Sequence, residues 1–349
     1  MNPSTPKHIP TGTTPSRDLR LDLARAAAIL SVVAIHAAEN HIVSTALSER
    51  LVIFLMDSSR FSVPTFLFLA GYLFRRHNLT LNYLAHRFLR VALPYLYVSL
   101  AVIPFQWNKY TYPSLFISWG CVLRDLLLCN VVGIYYFVFI VLYLYLLAYI
   151  FHRYGGSARL LLWLLPLLYA TNILDQQWSK TMLEHLNLTD WFFFYRYRTP
   201  LVYSLYFISG MAFKLHRGMG IITRQRRTVL SCSILYILLR LLLPDKMGIT
   251  PYEPLFYFAI LFFFLSLNVD GHGQIGRWVR FLSTASYTIF LVHILLLYMA
   301  RNILLMIWHI ETYPLLVNAS LYVFALFSSI AVRVIAIGFL KMRATKVLI

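Results

Sequence analysis

The sequence predicts an all-α, polytopic membrane helical bundle of about ten transmembrane helices with both termini in the cytosol. Three observations predict it. Hydrophobic residues make up 60% of the 349, more apolar surface than one globular core buries. Apolar runs of roughly twenty residues recur along the chain, bounded by charges, Pro or Gly. Most of the 31 Lys and Arg lie at the ends of those runs rather than on one soluble segment, so the net charge of +18 is a topology signal and nucleic acid is not an expected partner.

Residues 1–17, MNPSTPKHIPTGTTPSR, hold almost nothing that packs and are expected to form a disordered cytosolic tail ahead of a membrane domain over 18–349. No basic start, short apolar core and cleavage site stand together near the N-terminus, so the first apolar run is expected to stay as a signal anchor. Spans are expected near 20–39, 60–74, 91–107, 134–152, 158–174, 200–214, 228–244, 252–269, 284–304 and 314–338, the second starting earlier, around Leu51. With the N-terminus inside, inner segments hold roughly twice as many Lys and Arg as outer ones, the inner sets including Arg75, Arg76, Arg87 and Arg90.

Segment 108–133 is interrupted by Pro113, Gly120, Arg124 and Asp125. It reads as an outer, interfacial or re-entrant helix, because an eleventh crossing would invert everything after it and spoil the charge asymmetry. Cys121, Cys129 and Cys232 form no disulfide framework and no metal-ligand spacing; they read as packing residues, with an outer Cys121–Cys129 bridge as the alternative. Neither GxxxxGK[ST], HExxH nor a Cys/His cluster occurs, so P-loop nucleotide chemistry lacks support and no metal is expected.

The first span carries the most informative pattern. Arg25 and His36 are eleven residues apart, about three helical turns and roughly 16 Å along one face. Asp22 precedes Arg25 by one turn on that face, and Glu39 and Asn40 follow His36. Charges are costly in hydrocarbon, so such a stripe faces a bundle interior or a watery cavity and marks a functional site by default. The competing reading has Asp22 and Arg25 as snorkelling anchors and His36 as a buried histidine bonded to a carbonyl.

Five stretches in order resemble the acyltransferase-3 family of integral membrane O-acyltransferases. They are Asp22-Leu-Ala-Arg25 with His36, Arg60-Phe-Ser-Val-Pro-Thr-Phe-Leu-Phe-Leu-Ala-Gly71-Tyr72, Arg87-Phe-Leu-Arg90 before Pro94-Tyr95, Arg198-Thr-Pro200 leading to Phe207-Ile-Ser-Gly210, and Phe281-Leu-Ser283 through Ser286-Tyr287 to His293. Ala70 stands where the family usually has Ser, and Phe290 replaces a common Tyr. The resemblance implies an enzyme that moves an acyl group, acetyl by preference, from cytosolic acyl-CoA to a hydroxyl of a surface carbohydrate such as an O-antigen or exopolysaccharide. It places that enzyme in the cell inner membrane, with the lipid bilayer, acyl-CoA and a glycan acceptor, possibly lipid-linked, as partners.

On that resemblance His36 is the general base, or is itself acylated and passes the group on. Arg25, beside Asp22, would clamp a phosphate or the pantetheine end of the donor, and Arg60 would orient His36 or stabilise the oxyanion. The inner loop with Arg75, Arg76, Arg87 and Arg90 would dock the phosphates of acyl-CoA, or else only set topology. Glu39, Tyr195, Arg198 and Tyr287 are candidate acceptor contacts, with an interfacial aromatic belt as the rival for Tyr195. Ser286, Tyr287 and His293 fit interhelical hydrogen bonding as well as catalysis. The rival functions are a polysaccharide transporter or flippase, whose broken inverted repeats are not seen, and a non-catalytic component of an envelope-glycan complex.

Overall fold

The structure, a computed structural model, describes residues 18–38, 56, 58–74, 79–110, 115–185, 199–242, 253–307 and 314–343. Its helices are α1 (Leu19–Ala38), α2 (Ser62–Tyr72), α3 (Leu81–Val102), α4 (Leu115–Leu127), α5 (Tyr136–Arg153), α6 (Ala158–His185), α7 (Pro200–Leu215), α8 (Gly218–Arg224), α9 (Arg226–Leu242), α10 (Glu253–Ser266), α11 (Gln274–Ile307) and α12 (Pro314–Arg343). Short 3-10 segments run over Ile103–Tyr110 and Gly133–Tyr135, and no strand occurs among the described residues. The expected tail at 1–17 and the expected early start at Leu51 lie outside them.

A helix stands at each of the ten expected positions. Among the described residues, six stretches are long and apolar enough to cross a bilayer: Leu19–Ala38, Leu81–Lys109, Gly133–Arg153, Ala158–Asp175, Gln274–Ile303 and Leu316–Gly338. Ser62–Tyr72, Pro200–Leu215 and Glu253–Ser266 are apolar but shorter. The protein is thus a multi-pass, all-helical membrane protein. Trp163, Phe327 and Ile335 lie outward on α6 and α12, as lipid-facing side chains do.

Several helices overrun the boundaries drawn from charge. α3 begins at Leu81 rather than 91, because Thr80 is extended and its side chain accepts the Tyr83 N–H at 3.1 Å. α11 starts at Gln274 rather than 284, with Arg277 and Arg280 on its first turns. Arginines are good helix formers that carry the chain out of the apolar layer without ending the helix. Pro64 falls in the first turn of α2, where its missing N–H costs nothing, and Pro200 opens α7 at its first position. Within segment 108–133 stands α4, whose 13 residues rise about 20 Å, short of the ~30 Å hydrocarbon core. All three cysteines are free, so the alternative of a Cys121–Cys129 bridge is set aside, and Cys129 is buried as a packing residue.

α1 lies inside the bundle, against α2, α10, α11 and α12. One core cluster gathers the C-terminal half of α1 (Ile29, Val32, Val33, Ala37) with Tyr135, Ile289, Leu291 and Leu321. A second joins α2, α5, α6 and α7 around Leu67, Leu144, Leu161 and Phe207. α2 and α7 cross at van der Waals contact through two glycines. A Cβ on Gly71 would land on the Phe207 carbonyl, and one on Gly210 would land on the Phe68 carbonyl. Such small-residue crossings hold apolar helices together where lipid removes the hydrophobic drive between them.

Candidate active site

The polar stripe of α1 meets α11 along its length. Near the start of α1, the Ser283 hydroxyl donates to Asp22 Oδ1 at 2.6 Å, and Arg25 Nη1 donates to Ser283 Oγ at 3.4 Å. Asp22 and Ser283 are both buried. A carboxyl group withdrawn from water needs donors that replace its lost hydration, and the Ser283 hydroxyl supplies one.

Further along, the half-buried His36 ring lies 5.4 Å from the ring of His293, centroid to centroid, tilted by 38°. His293 is fully buried. Its Nδ1 sits 2.9 Å from the carbonyls of both Ile289 and Phe290. Carbonyls only accept, so Nδ1 carries the proton and Nε2 the bare lone pair. That Nε2 has no hydrogen-bond partner among the described residues, an omission that costs about 1–3 kcal/mol for a buried acceptor. Two tyrosines hold α11 in place: Tyr287 donates to the Val91 carbonyl and Tyr135 to the Leu291 carbonyl, each at 2.6 Å.

Internal charge and imidazole along two packed helices are compatible with several chemistries, and comparison with known families decides the class. Residues 18–337 match the family model described as an acyltransferase domain, Acyl_transf_3. The chain belongs to the acyltransferase-3 family. No curated protein and no solved structure matches it. The family resemblance of the five motifs is thereby upheld over nearly the whole chain, and a membrane acyltransferase is the activity this supports.

In this acyltransferase-3 protein the structure brings Asp22, Arg25 and His36 together on one internal face and adds Ser283 and His293 from α11. Arg60 is exposed in the turn that leads into α2. Arg87 turns back onto the end of α2, donating from Nη2 to the Leu73 carbonyl at 2.6 Å, with its guanidinium 5.4 Å over the Tyr83 ring and 5.7 Å over Tyr145. A cation there meets the negative end of the α2 dipole, which is structural work that leaves fewer of its N–H groups for a phosphate. Arg90, three residues on, is exposed. Tyr287 spends its proton on the Val91 carbonyl of α3, the interhelical bonding expected as its alternative, whereas Ser286 donates to the Ser283 carbonyl at 2.9 Å within α11 itself. Glu39, Arg75, Arg76, Tyr195 and Arg198 lie outside the described residues.

Ser283 stands inside the last of the five motifs, where the sequence alone assigns it no role. Its signal is the spacing to His293: ten residues on α11, nearly matching the eleven between Arg25 and His36 on α1.

Proposed function

We propose that this protein is a membrane O-acyltransferase, an O-acetyltransferase, that moves an acyl group from cytosolic acyl-CoA to a hydroxyl of a cell-surface carbohydrate. His36 is the general base. The observation that carries this reading is that Arg25 and His36 both turn inward onto α11, to Ser283 and His293, rather than out toward lipid. A fixed cation below an imidazole on one internal face suits a thioester donor entering from one side and a hydroxyl from the other.

In the reaction His36 takes the proton of the acceptor hydroxyl as its oxygen attacks the thioester carbonyl carbon. The C–S bond then breaks, and the imidazolium returns the proton to the departing CoA thiolate. Arg25 holds a phosphate or the pantetheine of the donor, with Asp22 and Ser283 fixing its guanidinium. The donor's phosphates are met by Arg90 and the free N–H groups of Arg87 on α3, with Arg75 and Arg76. Arg60 orients His36 or faces the developing oxyanion, and Glu39, Tyr195, Arg198 and Tyr287 border the acceptor, a glycan that arrives free or on a lipid carrier. The chain crosses the cell inner membrane ten times, with both ends in the cytosol.

The test is CoA release from acetyl-CoA by the purified full-length protein with a glycan acceptor. His36→Ala is expected to lower release by on the order of 10²-fold or more with the fold intact. Unaltered turnover in that variant rules out His36 as the base. Glycan movement across vesicles without CoA release points instead to a transporter or flippase, and neither activity to a non-catalytic role.

A further inference from the structure

We propose that His293 is a positioning residue for His36: its bare Nε2 accepts the ring N–H of His36 and so fixes that imidazole in the tautomer whose other nitrogen is open to the acceptor hydroxyl. The inference rests on the acyl-transfer reading for its catalytic consequence, and on geometry alone for the pairing.

The ring of His293 is committed at one side only. Nδ1–H points back into its own helix at the carbonyls of Ile289 and Phe290, both at 2.9 Å, so the ring neither flips nor changes tautomer without abandoning two acceptors. Nε2 is therefore an acceptor and nothing else. It is fully buried and lacks a partner among the described residues, which a histidine serving only to fill the core does not require. The ring beside it that carries an N–H is His36. A centroid separation of 5.4 Å lets facing ring nitrogens approach to about 3 Å once both lie along the line of centres, which a turn of the half-buried His36 achieves. Catalytic hydrogen bonds are often long before substrate binds and tighten on binding. The Phe290 ring, 6.3 Å from His293, and the surrounding apolar cluster keep bulk water from competing for the lone pair.

The proton inventory closes with His293 unchanged. The acceptor O–H breaks onto the open nitrogen of His36, the C–O bond forms as the C–S bond breaks, and the proton passes from the imidazolium to the thiolate. Throughout, the second N–H of His36 stays on His293 Nε2, which steadies the imidazolium while it exists.

Two amide variants separate positioning from packing. His293→Asn keeps an N–H near the Nδ1 position and has nothing at Nε2, whereas His293→Gln carries its amide out to Nε2. Two readouts are taken on the full-length protein: kcat and KM for acetyl-CoA, and the rate at which diethyl pyrocarbonate modifies His36, followed by peptide mass spectrometry. In H293N, kcat is expected to fall on the order of 10²-fold with KM within about twofold, and His36 modification to slow about tenfold, while H293Q recovers most of both. Wild-type modification rates in both variants overturn the pairing, and equal losses in H293N and H293Q overturn it in favour of packing. Should the wild type release no CoA from acetyl-CoA, the acyl-transfer reading falls while the modification rates still judge the pairing.

Discussion

A single hydroxyl joins the two charges that α1 carries into the apolar layer. Ser283→Ala removes the 2.6 Å donor to Asp22 and the 3.4 Å acceptor of Arg25 together. The expected cost is about 1–3 kcal/mol, read as a lower thermal midpoint in detergent. Combining it with Asp22→Asn is expected to cost less than the two alone, because each removes part of the same contact. The stripe itself was legible in the sequence, since helical period alone puts Asp22, Arg25 and His36 on one face. Its partners were not, because no spacing within α1 tells which helix lies opposite. A second buried carboxylate was read only as an interruption of an apolar run. Asp125 is fully buried, 2.8 Å from Lys109 Nζ and 3.0 Å from Arg124 Nη2. Burial alone pushes its carboxyl up, but Lys109, Asn130 and Arg124 outweigh that and hold it below its ordinary range. A depressed folded value means the stabilisation is complete above about pH 4 and is lost as the pH falls through the lower folded value. Lys109 and Arg124 are each about two-fifths exposed, so solvent screens the pairs. Asp125→Asn is therefore expected to cost about 1–3 kcal/mol at neutral pH, less than a fully buried pair. Thermal midpoints measured down a pH series are expected to converge for the two proteins in the acid range; a constant gap would contradict the assignment.

At the scale of elements, the α2–α7 crossing turns two motif glycines into a physical requirement. Phe68 and Gly71 on one helix, and Phe207 and Gly210 on the other, are each three residues apart, so each glycine lies beneath the other helix's carbonyl. The glycines were visible as parts of LAGY and FISG, but only the crossing explains why each motif needs its own. Gly71→Ala and Gly210→Ala press a methyl onto backbone rather than onto a side chain that could turn aside, and each is expected to cost at least about 1–3 kcal/mol. Gly220→Ala is the control: a Cβ there meets nothing within 4 Å, so its midpoint is expected to stay within about 1 kcal/mol of the wild type. A Gly71→Ala protein as stable as that control would mean that the helices do not meet there.

For the whole molecule, the contacts between α1 and α11 constrain how the chain is threaded. Leu19 lies beside Gly271, Asp22 bonds Ser283, and His36 faces His293, so residue numbers climb together on both helices and the two run parallel. Parallel spans require an odd number of crossings between them. α2, α3, α5, α6, α7, α9 and α10 supply seven if each crosses, and counting α4 as well would make the number even. Parity therefore argues for α4 on one face of the membrane, in line with its short length and with the charge asymmetry of the loops. Single cysteines in a background without Cys121, Cys129 and Cys232 test this directly. Asn108 and His272 are both exposed, and they are expected on opposite faces. A membrane-impermeant maleimide is expected to label Asn108→Cys in intact cells, and His272→Cys only after the inner membrane is opened. Labelling of both from the same side would break the parity.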